Sequence, residues 1–211
     1  MSKPTVVIYS DNICPFCTIG AKRLRQVQKE LDFDVDWRAF EIHPETPKEG
    51  RLTAEYFKGR DMNRMKQYIE DFGKDVGMKL NGKILANSRL SLAANNFARG
   101  KGHFEAFHEA VFRANFEEGK NIGDLPTLLD IAREVGLDPQ ELKQYLEDES
   151  NLQKVDRSSK EAQERGITGV PTFIINGKAV VGAQTIEVIQ EFIASELEAN
   201  TNLPSYNYDK D

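Results

Sequence analysis

The only two cysteines of the chain, Cys14 and Cys17, directly follow its first apolar segment, and this placement limits the possible fold more than any other feature. Residues 5–9 are apolar and rich in β-branched side chains, which predicts a short buried strand. A helix is expected to begin at the cysteine motif, because Pro15 lacks an N–H group and is tolerated in a first helical turn. Residues 35–42 have the alternation of a second strand. The cysteine pair is therefore predicted at the first turn of a strand–helix–strand unit.

The last part of the chain predicts a hairpin followed by a helix. The dipeptide Asn176-Gly177 is a strong signal for a tight turn, here between strands predicted at 172–175 and 179–182. Apolar residues then recur at the spacing of an amphipathic helix: Ile186, Ile189, Ile193 and Leu197.

Between these two units, the apolar pattern is helical. We therefore predict an α/β protein whose core is interrupted by a large all-helical insertion. The first part of the core would comprise residues 1–44, the insertion 45–160, the second part of the core 161–199, and a polar C-terminal tail 200–211.

Charge and hydropathy exclude several classes of protein. The formal net charge of -6 disfavours a nucleic-acid surface, which needs clustered positive charge. No apolar run is long enough to span a bilayer, and residues 1–3 lack the features of a secretory signal. We expect a cytoplasmic protein that binds neither nucleic acid nor membrane. A basic cluster is interpreted as the solvated face of one helix: Lys22, Arg23, Arg25 and Lys29.

The cysteine pair fits thiol–disulfide exchange, which needs an attacking thiolate and a second sulfur that resolves the mixed disulfide. The amino-terminal end of a helix presents unpaired N–H groups and partial positive charge, which favour a thiolate at the first sulfur. We expect Cys14 to be the exposed nucleophile and Cys17, one turn into the helix, to be the more buried resolving thiol. Pro15 and Phe16 would tune the reduction potential and contact the substrate.

Two other interpretations of the pair remain open. It could be half of a zinc site, but structural zinc takes four ligands and the chain has no second cysteine pair. The histidines at 43, 103 and 108 could contribute, but nothing in the sequence places two of them near Cys14. The cysteines could also be ordinary buried side chains. The strand–turn–helix context favours redox chemistry, and we predict no metal site.

Val170 and Pro171 directly precede a predicted strand. Proline commonly occupies the first position of a strand because it cannot donate to the ladder, and this alone would explain it. Together with the amino-terminal cysteine motif, however, the segment resembles the cis-proline loop of the thioredoxin fold, which lies opposite the nucleophilic cysteine. The resemblance implies that Val170 presents its backbone N–H and C=O groups to the substrate.

Over nearly its whole length the chain resembles the DsbA-like thioredoxin superfamily, and within it the FrnE-like branch. The segments that carry the resemblance are residues 11–17, 19–20, 87–90, 107–112, 116–124, 169–173 and 182–184. The family implies a thioredoxin fold interrupted by a helical insertion. It also implies disulfide oxidoreductase activity, with Cys14, Cys17 and Pro171 at the active-site positions.

A related group, the kappa-class glutathione transferases and 2-hydroxychromene-2-carboxylate isomerases, shares this architecture. Its members bind glutathione and typically have serine where Cys14 stands, so the two cysteines favour redox chemistry here. Glutathione remains a candidate reductant or substrate. Asn87 and Gln184 could line its site, although a helix-starting asparagine and a capping loop also explain them. Glu41 or His43 could relay protons beneath Cys17, but a solvent-facing strand end is the simpler interpretation.

The sequence thus predicts a thiol–disulfide oxidoreductase without a tightly bound cofactor, acting as a reductase, oxidase or isomerase on protein or small-molecule thiols or disulfides. The alternative is a glutathione-dependent transferase or isomerase acting on small aromatic or polyketide-like compounds. A third hypothesis is a chaperone-like or metal-binding module that uses the surface of the insertion. The oligomeric state is left open.

Overall fold

The computed structural model describes residues 3–201, apart from the side chains of residues 199–201. The opening unit consists of β1 (Thr5–Ser10), α1 (Pro15–Val27) and β2 (Asp34–Ala39). The insertion contains β3 (Arg51–Leu52), α2 (Thr53–Tyr56), α3 (Met62–Phe72), β4 (Ile84–Leu85), α4 (Arg89–Gly100), α5 (Phe104–Phe112), α6 (Leu125–Glu134), α7 (Pro139–Glu147) and α8 (Glu149–Glu164). The closing unit consists of β5 (Thr172–Ile175), β6 (Lys178–Val181) and α9 (Ile186–Thr201).

The opening and closing units form one four-stranded sheet in the order β2-β1-β5-β6. β1 and β2 are parallel because α1 crosses between them, whereas β5 and β6 form an antiparallel hairpin. Side chains alternate along β1, so Val6 and Ile8 face α1 and α9, while Tyr9 packs with Ala162 of α8. The sheet is thus covered by helices on both faces, which confirms the predicted fold class.

The β5–β6 turn is the one that the sequence predicts. Asn176 and Gly177 have φ angles of 51° and 79°, in the left-handed region that this tight turn requires. The pairing runs from Thr172 opposite Val181 to Ile175 opposite Lys178.

The insertion has its own apolar core between α4, α5, α6, α7 and α8, where Phe107, Val111, Leu128 and Leu142 are fully buried. It also contains the short antiparallel pair β3–β4. The sequence did not predict this pair, because a strand of two residues is too short to show an alternation of apolar and polar side chains. α8 continues to Glu164, past the boundary that we predicted at residue 160. Of the predicted polar tail, residues 202–211 lie outside the described residues. In the part of the chain that is described, no helix combines the length and apolar character needed to cross a membrane.

Arg23 is buried on α1, so the prediction that it belongs to a solvated basic face was wrong. Its guanidinium donates to both carboxylate oxygens of Asp75 at 2.7 and 2.8 Å. It also donates to the Phe72 and Ala183 carbonyl oxygens at 2.7 and 2.9 Å. These partners lie at the end of α3 and after β6, so Arg23 joins the insertion and the closing unit to α1. Only the tertiary structure brings these acceptors together.

Candidate functional site

Cys14 and Cys17 lie at the start of α1, as the sequence predicts. Cys14 is the extended residue that caps the helix and Pro15 is its first helical residue, while Cys17 follows one turn later. Both cysteines are free thiols and lie 3.6 Å apart. Cys17 is fully buried, and Cys14 is 7% exposed. Cys17 is the more buried of the two, as predicted, but Cys14 is also nearly buried and is not the exposed residue that we predicted.

The loop before β5 closes one side of Cys14. The Val170–Pro171 peptide bond is cis, and the Cys14 thiol donates to the Val170 carbonyl oxygen at 3.8 Å. Gly20 of α1 lies beneath this loop. A Cβ atom at Gly20 would lie 3.0 Å from Pro171 Cγ and 3.1 Å from Phe173 Cζ, so only glycine lets the loop approach the helix this closely.

Cys17 lies in an environment that favours its neutral thiol. Burial raises the pKa of Cys17 well above its usual value, and the neighbouring Cys14 raises it further. Two groups at the end of β1 oppose that rise in pKa: the Ser10 hydroxyl and the Asp11 backbone N–H, which donates to the Cys17 sulfur at 3.5 Å. Burial outweighs these two groups, so the net effect is a raised pKa of Cys17.

Asp11 is itself a buried carboxyl group next to the cysteine pair. Burial raises the pKa of Asp11 to about 7. The backbone N–H groups of Ile42 and Ile13 donate to its two oxygens at 2.7 and 3.2 Å, which partly offsets this rise. Asp11 thus ties the loop before Cys14 to the chain after β2.

An apolar cavity of about 280 Å³ opens beside Cys14 on the side of the insertion. Its lining includes Pro15 and Phe16 from the cysteine motif, and Phe57, Met62 and Met65 from the segment around α2 and α3. Polar side chains are few there: His43, Thr53 and Asn115. Such a cavity is suited to an apolar group carried by a molecule that reacts at Cys14.

The remaining predicted site residues lie elsewhere. Asn87 donates to the Thr46 carbonyl oxygen at 2.7 Å and accepts from the Arg89 N–H at 3.1 Å, so it shapes the start of α4. Gln184 donates to the carbonyl oxygen of Val181 at 2.7 Å. Neither residue is among those that line the cavity beside Cys14.

Glu41 and His43, the two possible proton relays, lie in different surroundings. Glu41 is 6% exposed and forms an ion pair with Arg89, so the interpretation as a solvent-facing residue was wrong. His43 contacts Glu45 and lines the cavity beside Cys14.

His108 is also buried. It is 1% exposed and packs against the rings of Trp37, Phe104 and Phe112 at centroid distances of 4.7, 4.9 and 4.4 Å. Burial lowers the pKa of His108 well below its usual value. His103 remains exposed on the surface. Within residues 3–201, no group of three or more histidine, cysteine or acidic side chains is arranged to hold a metal ion.

Three features of the site were not predicted from the sequence: Ser10, the buried carboxyl group of Asp11, and Gly20, against which the Pro171 loop packs. Ser10 and Asp11 are consecutive polar residues that follow the apolar part of β1 and precede Cys14 by a few positions, and this pattern could have drawn attention to them. The role of Gly20 had no comparable signal, because its neighbours Pro171 and Phe173 come from the other end of the chain.

The four-stranded sheet, the C-x-x-C pair at the amino-terminal end of α1 and the facing cis-proline loop define a thioredoxin-fold protein with a redox-type cysteine pair. The chain belongs to the DSBA-like thioredoxin domain family, whose sequence model matches residues 5–194. This is a family of thiol–disulfide oxidoreductases that act on thiol or disulfide substrates.

The chain also resembles individual proteins. The chain is 31% identical over 203 residues to YwbO, an uncharacterized protein of Bacillus subtilis (strain 168), with 90% of this chain and 96% of YwbO covered. The probable DsbA oxidoreductase SCO1869 from Streptomyces coelicolor has the same fold, with a TM-score of 0.83, 24% identity and coverage of 95% and 92% of the two chains. The cytosolic disulfide reductase DsbM from Pseudomonas aeruginosa, solved with GSH, gives a TM-score of 0.65 at 20% identity, with coverage of 92% and 99%.

Proposed function

We propose that this protein is a thiol–disulfide oxidoreductase in which Cys14 attacks the substrate and Cys17 resolves the mixed disulfide. The observation that carries the proposal is the different surroundings of the two sulfurs. Cys14 contacts the Val170 carbonyl oxygen and lines the apolar cavity, so a substrate sulfur can reach it. Cys17 is fully buried behind Cys14 and is accessible only from within the protein.

The reaction then balances as a two-electron exchange. The Cys14 thiolate attacks one sulfur of the substrate disulfide, and the other substrate sulfur leaves as a thiolate that takes up a proton. Cys17 loses its proton and attacks the Cys14 sulfur, which breaks the bond between Cys14 and the substrate. The substrate is released as a dithiol, and the cysteine pair is left as a disulfide.

The loop at Val170 supports the positioning of an extended substrate. Val170 is half-buried, and among the described residues no group accepts a hydrogen bond from its N–H. An extended chain next to Cys14 could accept from this N–H group. Aromatic rings of Phe16, Phe72 and Tyr68 lie next to one another at the edge of the site, with ring centroids 5.5 and 6.2 Å apart. This apolar surface and the cavity favour substrates whose disulfide lies beside an apolar group.

The direction of exchange follows from the compartment that we propose, the cytoplasm. There a pair of this kind rests mainly as the dithiol, so reduction or isomerisation of substrate disulfides is favoured over their formation. We propose glutathione as the reductant that restores the dithiol. The structure of DsbM with GSH supports this choice, since that protein has the same fold.

The test is reduction of insulin with dithiothreitol, followed by turbidity, and its repetition with glutathione. Cys14→Ser should abolish the acceleration. Cys17→Ser, its matched control, should keep the first attack and accumulate a mixed disulfide that mass spectrometry detects. Full activity of Cys14→Ser would contradict the mechanism. If Cys14→Ser conjugated glutathione to an aromatic electrophile, the protein would instead be a glutathione-dependent transferase.

A further inference from the structure

Asn115 is a buried amide in the wall of the apolar cavity beside Cys14. The residue is 4% exposed and lies in the π-helical turn Arg113–Glu117, which directly follows α5. Turns of this kind occur frequently at functional sites. An amide in a largely apolar wall needs hydrogen-bond partners, because polar groups that are buried without them cost free energy.

The hydrogen bond that Asn115 makes determines which of its two amide atoms is available. Its Nδ2 group donates to the backbone carbonyl oxygen of Asn12 at 3.1 Å, and only the amide nitrogen can make this bond. Among the described residues, no group donates to the Oδ1 atom of Asn115. Asn115 therefore offers a hydrogen-bond acceptor to a molecule in the cavity.

Asn12 holds this amide next to the cysteine pair. Asn12 is fully buried and lies two residues before Cys14. Its Nδ2 group donates to Ser91 Oγ at 3.0 Å, and its Oδ1 atom accepts from Asn95 Nδ2 at 3.1 Å. Since Asn115 bonds to this anchored segment and lines the same cavity as Cys14, one bound molecule can contact both residues.

The other two polar side chains of the cavity are engaged elsewhere. The Thr53 hydroxyl donates to a backbone carbonyl oxygen at 3.1 Å. His43 Nδ1 lies 3.1 Å from Glu45 Oε1, and the His43 side chain is partly exposed to solvent. Of these three polar side chains, Asn115 is thus the one that is buried and keeps an acceptor without a partner in the described part of the chain.

A matching substrate combines a hydrogen-bond donor with an apolar group. An ammonium group could donate to Asn115, but the burial of a charge in an apolar cavity is costly, so a neutral N–H is favoured. In a peptide, the residue that follows a cysteine presents a backbone N–H group and then its side chain. The cavity of about 280 Å³ can receive that side chain.

We propose that Asn115 makes this protein selective for cysteine disulfides in which a secondary amide N–H is followed by an apolar group. A peptide whose reacting cysteine precedes a large apolar residue is of this class. The N–H donates to Asn115 Oδ1, and the apolar group fills the cavity next to Phe57 and Met65. This inference rests on the proposed function and names the substrate class of the same site.

The test compares two disulfides that differ only at the donor. Diacetylcystine bis(benzylamide) carries the N–H and a benzyl group on each half, and in diacetylcystine dibenzyl ester an oxygen replaces the N–H. The fully reduced protein is mixed with each disulfide, and acid quenching followed by mass spectrometry measures the oxidation of its cysteine pair. Each rate constant is divided by that of the same disulfide with dithiothreitol, which corrects for intrinsic reactivity.

The wild-type protein should react about tenfold faster with the benzylamide than with the ester, because the ester cannot donate to Asn115 Oδ1. In Asn115→Leu, this ratio should fall to about one. Asn95→Leu is the matched control and should keep the wild-type ratio, because it removes another buried amide that bonds to Asn12 but does not line the cavity. A purely structural role of Asn115 would change both rate constants and leave their ratio unaltered.

The outcomes separate this inference from the proposed function. Equal corrected rate constants in the wild-type protein would overturn the inference and leave the function intact. A preference for the amide that persists in Asn115→Leu, or that disappears in Asn95→Leu as well, would also overturn it. Absence of reaction with either disulfide, or a reaction that persists in Cys14→Ser, would overturn the proposed function.

A crystal structure tests the inference without any change at Asn115. The Cys17→Ser protein can be trapped as the mixed disulfide between Cys14 and one half of the benzylamide. The amide nitrogen should lie within hydrogen-bond distance of Asn115 Oδ1, with the benzyl group in the cavity. A benzyl group outside the cavity, or an amide nitrogen bonded to another group, would refute the inference.

Discussion

Replacement of Gly20 by alanine tests how the Pro171 loop is held over the cysteine pair. An alanine Cβ would lie 3.0 Å from Pro171 Cγ and 3.1 Å from Phe173 Cζ, so these rings must retreat by a few tenths of an ångström. Gly100→Ala is the matched control. It places the same methyl group on α4, where nothing lies within 4 Å.

Two opposing effects set the size of the change in stability. Alanine is better than glycine within a helix by about 0.5–1 kcal/mol, and because Gly100 is the last residue of α4, Gly100→Ala should raise the free energy of unfolding by at most about that amount. Overpacking a buried contact typically costs about 1–3 kcal/mol. The cost is larger than the gain at Gly20, so Gly20→Ala should lower the free energy of unfolding by about 1 kcal/mol, as measured by urea denaturation.

The same displacement should reduce activity. Val170 directly precedes Pro171, and its carbonyl oxygen lies 3.8 Å from the Cys14 sulfur. Small misplacements near reacting atoms can lower a rate by up to about a hundredfold. We expect kcat/KM for insulin reduction to fall about tenfold in Gly20→Ala and to stay unchanged in Gly100→Ala. If Gly20→Ala were as stable and as active as Gly100→Ala, the Pro171 loop would not depend on the close approach at Gly20, and this reasoning would be refuted.

Three further predictions concern other parts of the site. Burial raises the pKa of Asp11 from 3.8 to about 7, so the folded state binds this proton more tightly than the unfolded state does. The free energy of unfolding should therefore fall by on the order of 4 kcal/mol as the pH rises from about 4 through 7. Asp11→Asn should remove that part of the pH dependence of urea unfolding, and the exposed Asp71→Asn should not. Arg23→Met should lower the free energy of unfolding by about 3 kcal/mol, because buried carbonyl groups lose their donor, and the exposed Lys29→Met should have almost no effect. Phe57→Ser should raise KM for an aromatic disulfide about tenfold, since partial burial of an aromatic ring contributes roughly 1–2 kcal/mol, and should leave the reaction with a small polar disulfide unchanged.

The sequence by itself determined the features that depend on neighbouring residues. The strand before the cysteines, the helix that begins with Pro15, and the turn at Asn176-Gly177 all follow from local periodicity and backbone preferences, and the structure contains each of them. The C-x-x-C spacing and the Val170-Pro171 pair likewise indicated the two halves of the candidate site, and segments along nearly the whole chain indicated the family.

Only the tertiary structure decided what surrounds those residues. Val170 meets Cys14 across 156 positions of sequence, and the carboxylate that binds Arg23 is 52 positions away. The burial of His108 and the closeness of Gly20 to Pro171 arise in the same way. The physical reason is that burial, cavities and pKa shifts depend on which distant segments pack together, whereas the sequence pattern reports only the conformation and the buried face of each segment.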